Sequence, residues 1–175
     1  MEGSEQRTVG VGPEMCFTIR KAGIGDYEAI SGLEQLEYEV HRQARPDYFR
    51  SLKESYPESE LEELLRLPCP IAWLALQDEE IIGLCFGKIE MTVENSVCKP
   101  RKIAFIQDLA TLPEYRGRGI ATALVRKVRE QAIQEKAACL ELCVWNFNEN
   151  AVRLYEKLGM RVQYYRMEEN LQSGS

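Results

Sequence analysis

The stretch EYRGRGIATALVRKVREQA, from Glu114 to Ala132, constrains the fold of this chain more than any other. Before it, IAFIQDLATL is an apolar run of strand type that ends at Pro113. Within it, Ile120, Ala123, Leu124, Val128 and Ala132 recur at helical spacing, with Arg126, Lys127, Arg129 and Glu130 facing elsewhere. Strand, glycine turn and helix in that order leave several N–H groups unpaired at the helix N-terminus, where the helix dipole favours negative charge. Gly117 and Gly119 lack a Cβ and let an anion approach the main chain, while Arg116 and Arg118 add positive charge around it. A solvated turn without a ligand is the other reading of this spacing. A nucleotide P-loop needs lysine and a hydroxyl residue after its second glycine, where Ile120 and Ala121 stand. The dinucleotide fingerprint needs glycine or alanine at Thr122 and an early βαβ unit, which the chain lacks.

The remaining elements follow from periodicity. CFTIRKA, at residues 16–22, alternates like a strand, and Asp26 is placed to cap a helix carrying Tyr27, Ile30, Leu33, Leu36, Tyr38 and Val40. Pro46 closes that helix, and a second is expected from Asp47 to Leu67 with an interruption near Pro57. IAWLALQ and IIGLCFGKIEMTV flank the short connection DEE, as in a β-hairpin, and the run ending at Pro113 should pair antiparallel with them. CLELCVW reads as a buried strand, NENAVRLYEKLG as a short helix closed by Gly159, and MRVQYYRME as a last strand. The order β α α β β β α β α β predicts one mixed α/β domain over residues 16–170. Residues 1–15 are expected to be a flexible arm and 171–175 a loose tail.

At 175 residues the chain is long enough for a real core without staples, and a net charge of −6 argues against nucleic-acid or anionic-membrane binding. No stretch reaches the length of a membrane span. The six cysteines form no C-x-x-C pair and no secretory leader is evident, so reduced thiols in a cytoplasmic protein are expected. With His41 the only histidine, no metal site is expected. Cys139 and Cys143 read as small buried hydrophobes, and Trp145 and Tyr164 as residues in or beside the core.

Two blocks together resemble a known family. Arg116-Gly117-Arg118-Gly119-Ile120-Ala121 fits the R/Q-x-x-G-x-G/A loop of the GNAT superfamily of acetyl-CoA-dependent N-acetyltransferases. Asn148, Ala151, Leu154, Tyr155, Gly159 and Met160 match its N-x-x-A-x-x-L-Y-x-x-x-G-F pattern, with Met where Phe is usual. The resemblance covers roughly residues 16–167. It implies a mostly antiparallel mixed sheet, flanked by helices and splayed between its fourth and fifth strands, with the pantetheine arm of coenzyme A lying in the gap. It further implies that Leu109, Ala110 and Thr111 offer main-chain groups to that arm. The amides from Arg116 to Ala121 would take the pyrophosphate with help from Thr122, and Asn148 would bond pantetheine.

Transfer of acetyl from acetyl-CoA to an amine needs a neutral nucleophile, support for an oxyanion and a proton for the leaving thiolate. The resemblance gives the last role to Tyr155, with a buried tyrosine packing on the cofactor as the alternative. Asp108 is the candidate for the amine's proton, or for steering a cationic substrate, or for capping a turn; simple alternation puts it on the face opposite Gln107, where many relatives carry Glu. Tyr38, His41, Asp47 and Tyr48 are candidates to line an acceptor pocket, and Glu34, Glu37 and Glu39 could attract an amine, although such a run is also what a solvated helix face looks like. The expected partner is an amine-bearing acceptor, either a small molecule or a peptide, and the chain is compatible with a homodimer. An acyl-CoA-binding sensor or assembly module without turnover is the alternative function.

Overall fold

The structure, a computed structural model, describes residues 7–8, 16–52, 56–94 and 96–171. The described chain falls into two compact units divided between Cys143 and Val144.

Among the described residues of the first unit, six strands form one sheet in sequential order: β1 (Arg7–Thr8), β2 (Phe17–Lys21), β3 (Pro70–Gln77), β4 (Glu80–Met91), β5 (Lys102–Thr111) and β6 (Cys139–Leu142). All neighbours are antiparallel except β5 and β6, which run parallel. The hairpin read at DEE is present, and Asp78 (φ 47°) and Glu79 (φ 73°) give its two-residue turn the left-handed backbone such a connection requires. β1 lies in the N-terminal stretch expected to be a loose arm, and pairs with β2. The rest of that arm, and residues 172–175 of the tail, lie outside the described residues.

The helices cover both faces. On one, α1 (Tyr27–Ala44) and α2 (Glu58–Arg66) bring Ile30, Leu33, Leu61 and Leu64 against Ala72, Leu74, Leu84, Phe86 and Ala110. On the other, α3 (Ile120–Gln134) buries Ile120, Leu124, Val125, Val128 and Ala132, as its periodicity predicts. A Cβ at Gly83 would stand 3.0 Å from Ile120 Cγ2, so that glycine lets α3 settle on β4. Three expectations differ from this outcome. Asp26 does not cap α1: its carboxylate receives the Arg20 guanidinium at 2.7 Å and 2.8 Å and the Gly23 N–H at 2.8 Å. The second helix begins at Glu58, since residues 46–49 make turns after Pro46 and only the segment beyond Pro57 is free to propagate. β6 ends at Leu142, and Cys139 is half-buried and Cys143 exposed rather than both being buried.

One irregularity organises β5. Phe86 pairs with Asp108 and Gly87 with Ile106, so Gln107 is an extra residue in β5, a β-bulge. A Cβ at Gly87 would stand 2.1 Å from the Phe105 carbonyl oxygen, a contact only glycine avoids. Residues directly across a ladder share a face. Leu84 and Phe86 belong to the α1/α2 side, so Ala110 and Asp108 do too, and Lys88 puts Phe105 there as well. Without the extra residue Asp108 would fall on the α3 side.

The second unit contains α4 (Glu149–Lys157), capped by the Asn148 Oδ1, which accepts from the Ala151 N–H at 3.2 Å. The helix ends at Gly159 with φ 85°. The last strand read in MRVQYYRME is not found: these residues form neither helix nor strand, and Tyr164 is 73% exposed rather than in the core. Their alternation fits a strand, but a strand needs a hydrogen-bonding neighbour that none of the described residues supplies. Gly87→Ala should lower stability by about 2 kcal/mol or more, by the overpacking it imposes on Phe105. Urea unfolding measures this, and an unchanged midpoint would show that the bulge tolerates a side chain.

Candidate active site

The parallel register of β5 with β6 runs from Ile103↔Cys139 to Ile106↔Leu142 and stops there, one residue before the bulge. From Gln107 to Thr111, β5 is paired with β4 and, among the described residues of the first unit, has no partner strand on its β6 side. Leu109, Ala110 and Thr111, expected to offer main-chain groups, are all on this open stretch. The Thr111 carbonyl already accepts from Arg116 Nε at 3.1 Å.

Beyond the strand a short 3-10 turn (Pro113–Tyr115) leads into the glycine loop. Tyr115 anchors the turn by donating its hydroxyl to Glu80 at 2.7 Å, and the Arg118 guanidinium lies 5.5 Å from the Tyr115 ring centre. Gly117 (φ 74°) and Gly119 (φ 83°) both adopt the left-handed backbone that disfavours any side chain, with open space where a Cβ would be. The first helical hydrogen bond of this turn runs from the Ala123 N–H to the Gly119 carbonyl, at 2.9 Å. Among the described residues the amides of Ile120, Ala121 and Thr122 therefore have no main-chain acceptor, and they form the N-terminal end of α3. Such an arrangement has the geometry to accept an anion.

A second set of groups lies on the α1/α2 side of β5. Ile30, Leu33, Glu34 and Glu37 occupy successive positions of one face of α1. Glu34 is 7% exposed and its Oε1 has no hydrogen-bond partner; neither has Oε2 of the half-buried Glu37. Burial raises the Asp108 carboxyl above the aspartate range, and the Glu60 charge raises it further. Burial likewise raises Glu34, with Asp108, Glu37 and Glu60 adding to it. Glu37 is pushed up to about 8 by burial and by Asp108, against the opposing pull of Arg116. The Tyr56 phenol is raised by burial and then by Glu34, Asp108 and Glu60, and its ring lies 6.3 Å from Phe86. Among the described residues none of these four carboxylates has an ion-pair partner. A separate groove of about 510 Å³, beside α1 and the β3–β4 turn, contains none of them.

The other acceptor candidates have local structural partners. Tyr38 donates its hydroxyl to the Arg50 carbonyl at 2.7 Å, His41 Nδ1 is 3.0 Å from the Glu37 carbonyl, and Asp47 pairs with Arg45 at 2.7 Å. The rings of Tyr38, His41 and Tyr48 surround Phe49 at 5.1–6.0 Å. Glu39, grouped with Glu34 and Glu37 by sequence, is instead held by Arg42 and Gln43, which pull it down to about 2. In the second unit, Tyr155 is half-buried and its carbonyl accepts from the Leu158 and Met160 N–H groups, while Asn148 spends its Oδ1 on the α4 cap. Sequence reading missed Glu60 and Tyr56 and undervalued Glu34 and Glu37. The available signal was that residues 34 and 37 continue the core-facing spacing begun at residues 30 and 33.

The match to the description "Acetyltransferase (GNAT) family" spans residues 37–160, well over half of the chain. The thialysine N-epsilon-acetyltransferase of Mus musculus is 38% identical over 55 residues, covering 31% of this chain and 32% of that protein. The chain thus matches only about a third of the length of that relative. The N-alpha-acetyltransferase of Saccharolobus solfataricus is 27% identical over 150 residues, covering 83% and 80%. Among solved structures, a mutant of the BH1408 protein from Bacillus halodurans superposes with a TM-score of 0.84 at 27% identity, covering 87% of this chain and 98% of that one. An aminoglycoside N-acetyltransferase in complex with CoA shares the fold, with a TM-score of 0.62 at 22% identity over 86% and 94%. With that match spanning residues 37–160 and the fold shared with these structures, the chain belongs to the GNAT acetyltransferase family.

Proposed function

We propose that this acetyltransferase moves the acetyl group of acetyl-CoA to a primary amine by direct attack. The observation that supports this most is the open stretch of β5 from Gln107 to Thr111, which leads straight into the left-handed glycines and free amides at the head of α3. An extended amide-bearing arm can pair along such an edge, and a pyrophosphate can rest on such a terminus. Leu109, Ala110 and Thr111 are assigned to the arm, together with Asn148 from its place in the second motif. The loop from Arg116 to Thr122 is assigned to the phosphates.

In the reaction the amine nitrogen attacks the thioester carbonyl. A C–N bond forms, the C–S bond breaks, the amine loses a proton and the thiolate gains one. Asp108 is assigned the amine's proton, taken directly or through water, because the bulge turns it to the α1/α2 side and burial keeps its carboxyl basic. Tyr155 is assigned to protonate the thiolate, on its place in the second motif. No cysteine lies in either motif, which favours direct transfer over an acetyl-enzyme.

Three measurements test these assignments. Gly119→Val forces a β-branched residue to a φ of 83° and should weaken CoA binding by calorimetry about tenfold or more; an unchanged Kd removes the loop from the site. A base acts only when deprotonated, so kcat/KM should rise with pH through a midpoint above the ordinary aspartate value of 3.8. Asp108→Asn should abolish that limb and lower the plateau by about 10²-fold or more; retention of the limb would assign it elsewhere. Tyr155→Phe should lower kcat by about 10²-fold with little change in the KM for acetyl-CoA, and full turnover at every pH would end its role as acid.

A further inference from the structure

We propose that Glu34 and Glu37, with Glu60 at the rim, form a subsite for a second cationic centre of the acceptor, so that the preferred substrates are compact diamines. This rests on the amine-transfer reading above and narrows it to a substrate class. A glutamate on a core-facing helix position is expensive to keep unless something satisfies it. Glu34 is 93% buried, since only 7% is exposed, and its Oε1 has no partner. Three residues on, Glu37 repeats the arrangement at Oε2. The Asp108 charge acts on both, and among the described residues no lysine or arginine forms an ion pair with either. Arg116 opposes the upward shift of Glu37, and its Nε is held by the Thr111 carbonyl.

The surroundings suit an alkyl ammonium better than a metal ion. Among the described residues no three acidic, cysteine or histidine side chains are placed to hold one metal. On the same side lie Tyr56, 8% exposed and under the influence of the Glu34 charge, and Phe86, 1% exposed, with ring centres 6.3 Å apart. Aromatic walls beside carboxylates accept both the methylenes and the ammonium of a short diamine. Asp108 lies across the sheet from Phe86 itself, so an acceptor anchored at Glu34 and Glu37 leaves its other nitrogen on the side of the proton acceptor. A monoamine fills only one of these places, and an amino acid would bring a carboxylate into a site that already has four.

The test uses the full chain with butylamine, 1,4-diaminobutane and 5-aminopentanoate as acceptors, following thiol release from acetyl-CoA. It also measures 1,4-diaminobutane binding to the CoA-loaded protein by calorimetry. The proposal expects kcat/KM for the diamine to exceed that for butylamine by about tenfold or more, with aminopentanoate poorer still. In Glu34→Gln/Glu37→Gln the diamine-to-butylamine ratio should fall to within about threefold, and the calorimetric signal should be lost. If the double variant does not fold, Glu37→Gln alone should reduce the ratio, since Glu37 is only half-buried. Equal rates for mono- and diamine in the wild type, or a ratio unaffected by the substitutions, overturns the subsite while leaving transfer intact. No thiol release with any amine, together with diamine binding that depends on Glu34 and Glu37, overturns the transfer reading and keeps the subsite. Neither turnover nor binding overturns both.

Discussion

The close approach of the Phe105 carbonyl to Gly87 is the constraint on which the site depends. It is possible only because β4 has no side chain there, and it accompanies the one extra residue in β5. A bulge bends its strand and interrupts pairing, and here pairing with β6 ends at Ile106, immediately before Gln107. The same residue reverses the alternation, so that Asp108 joins the face covered by α1 and α2. One backbone irregularity therefore opens an edge on one side of β5 and presents a carboxylate to α1 and α2 on its face.

The carboxylates gathered there work against folding. Glu34 and Glu37 titrate above the ordinary glutamate value of 4.5, so the folded chain holds protons that the unfolded chain releases. Their contribution to stability is complete below pH 4.5 and declines as pH rises towards about 8, the value reached by Glu37. A chain selected only for stability would place leucine at residues 34 and 37, where the helix face asks for it. Such a disfavoured group accords with the proposed subsite, where a bound cation would reverse the sign of the effect.

Much of the fold could be read from pattern. The hairpin around Asp78 and Glu79, the apolar face of α3 and the glycine turn before it all follow from local chemistry that tertiary contacts merely accept. The failures have physical causes. Asp26 has the right position for a cap, but Arg20, six residues earlier, is a stronger partner than an amide. The register of a bulge depends on a steric contact between strands, so alternation could set Asp108 opposite Gln107 but could not say which face meets α1 and α2. Glu34, Glu37 and Glu39 look alike in sequence; the structure separates two that lie beneath the helix from one that Arg42 holds at the surface.

The positions of these carboxyls give them different tasks. The Asp108 charge is among the causes that hold Glu34 and Glu37 protonated. A group that is ionised while its neighbours are neutral can accept a proton without competing with them. Glu34 and Glu37 then gain negative charge only when a cation compensates it, so the anchor forms with its ligand rather than before it. Desolvation makes such a pairing costly for a singly charged amine, which brings one charge to a site that could neutralise two. On this argument selectivity for a second positive centre comes from the burial of Glu34 itself, because an exposed glutamate at the same position would already be ionised and would attract any cation alike.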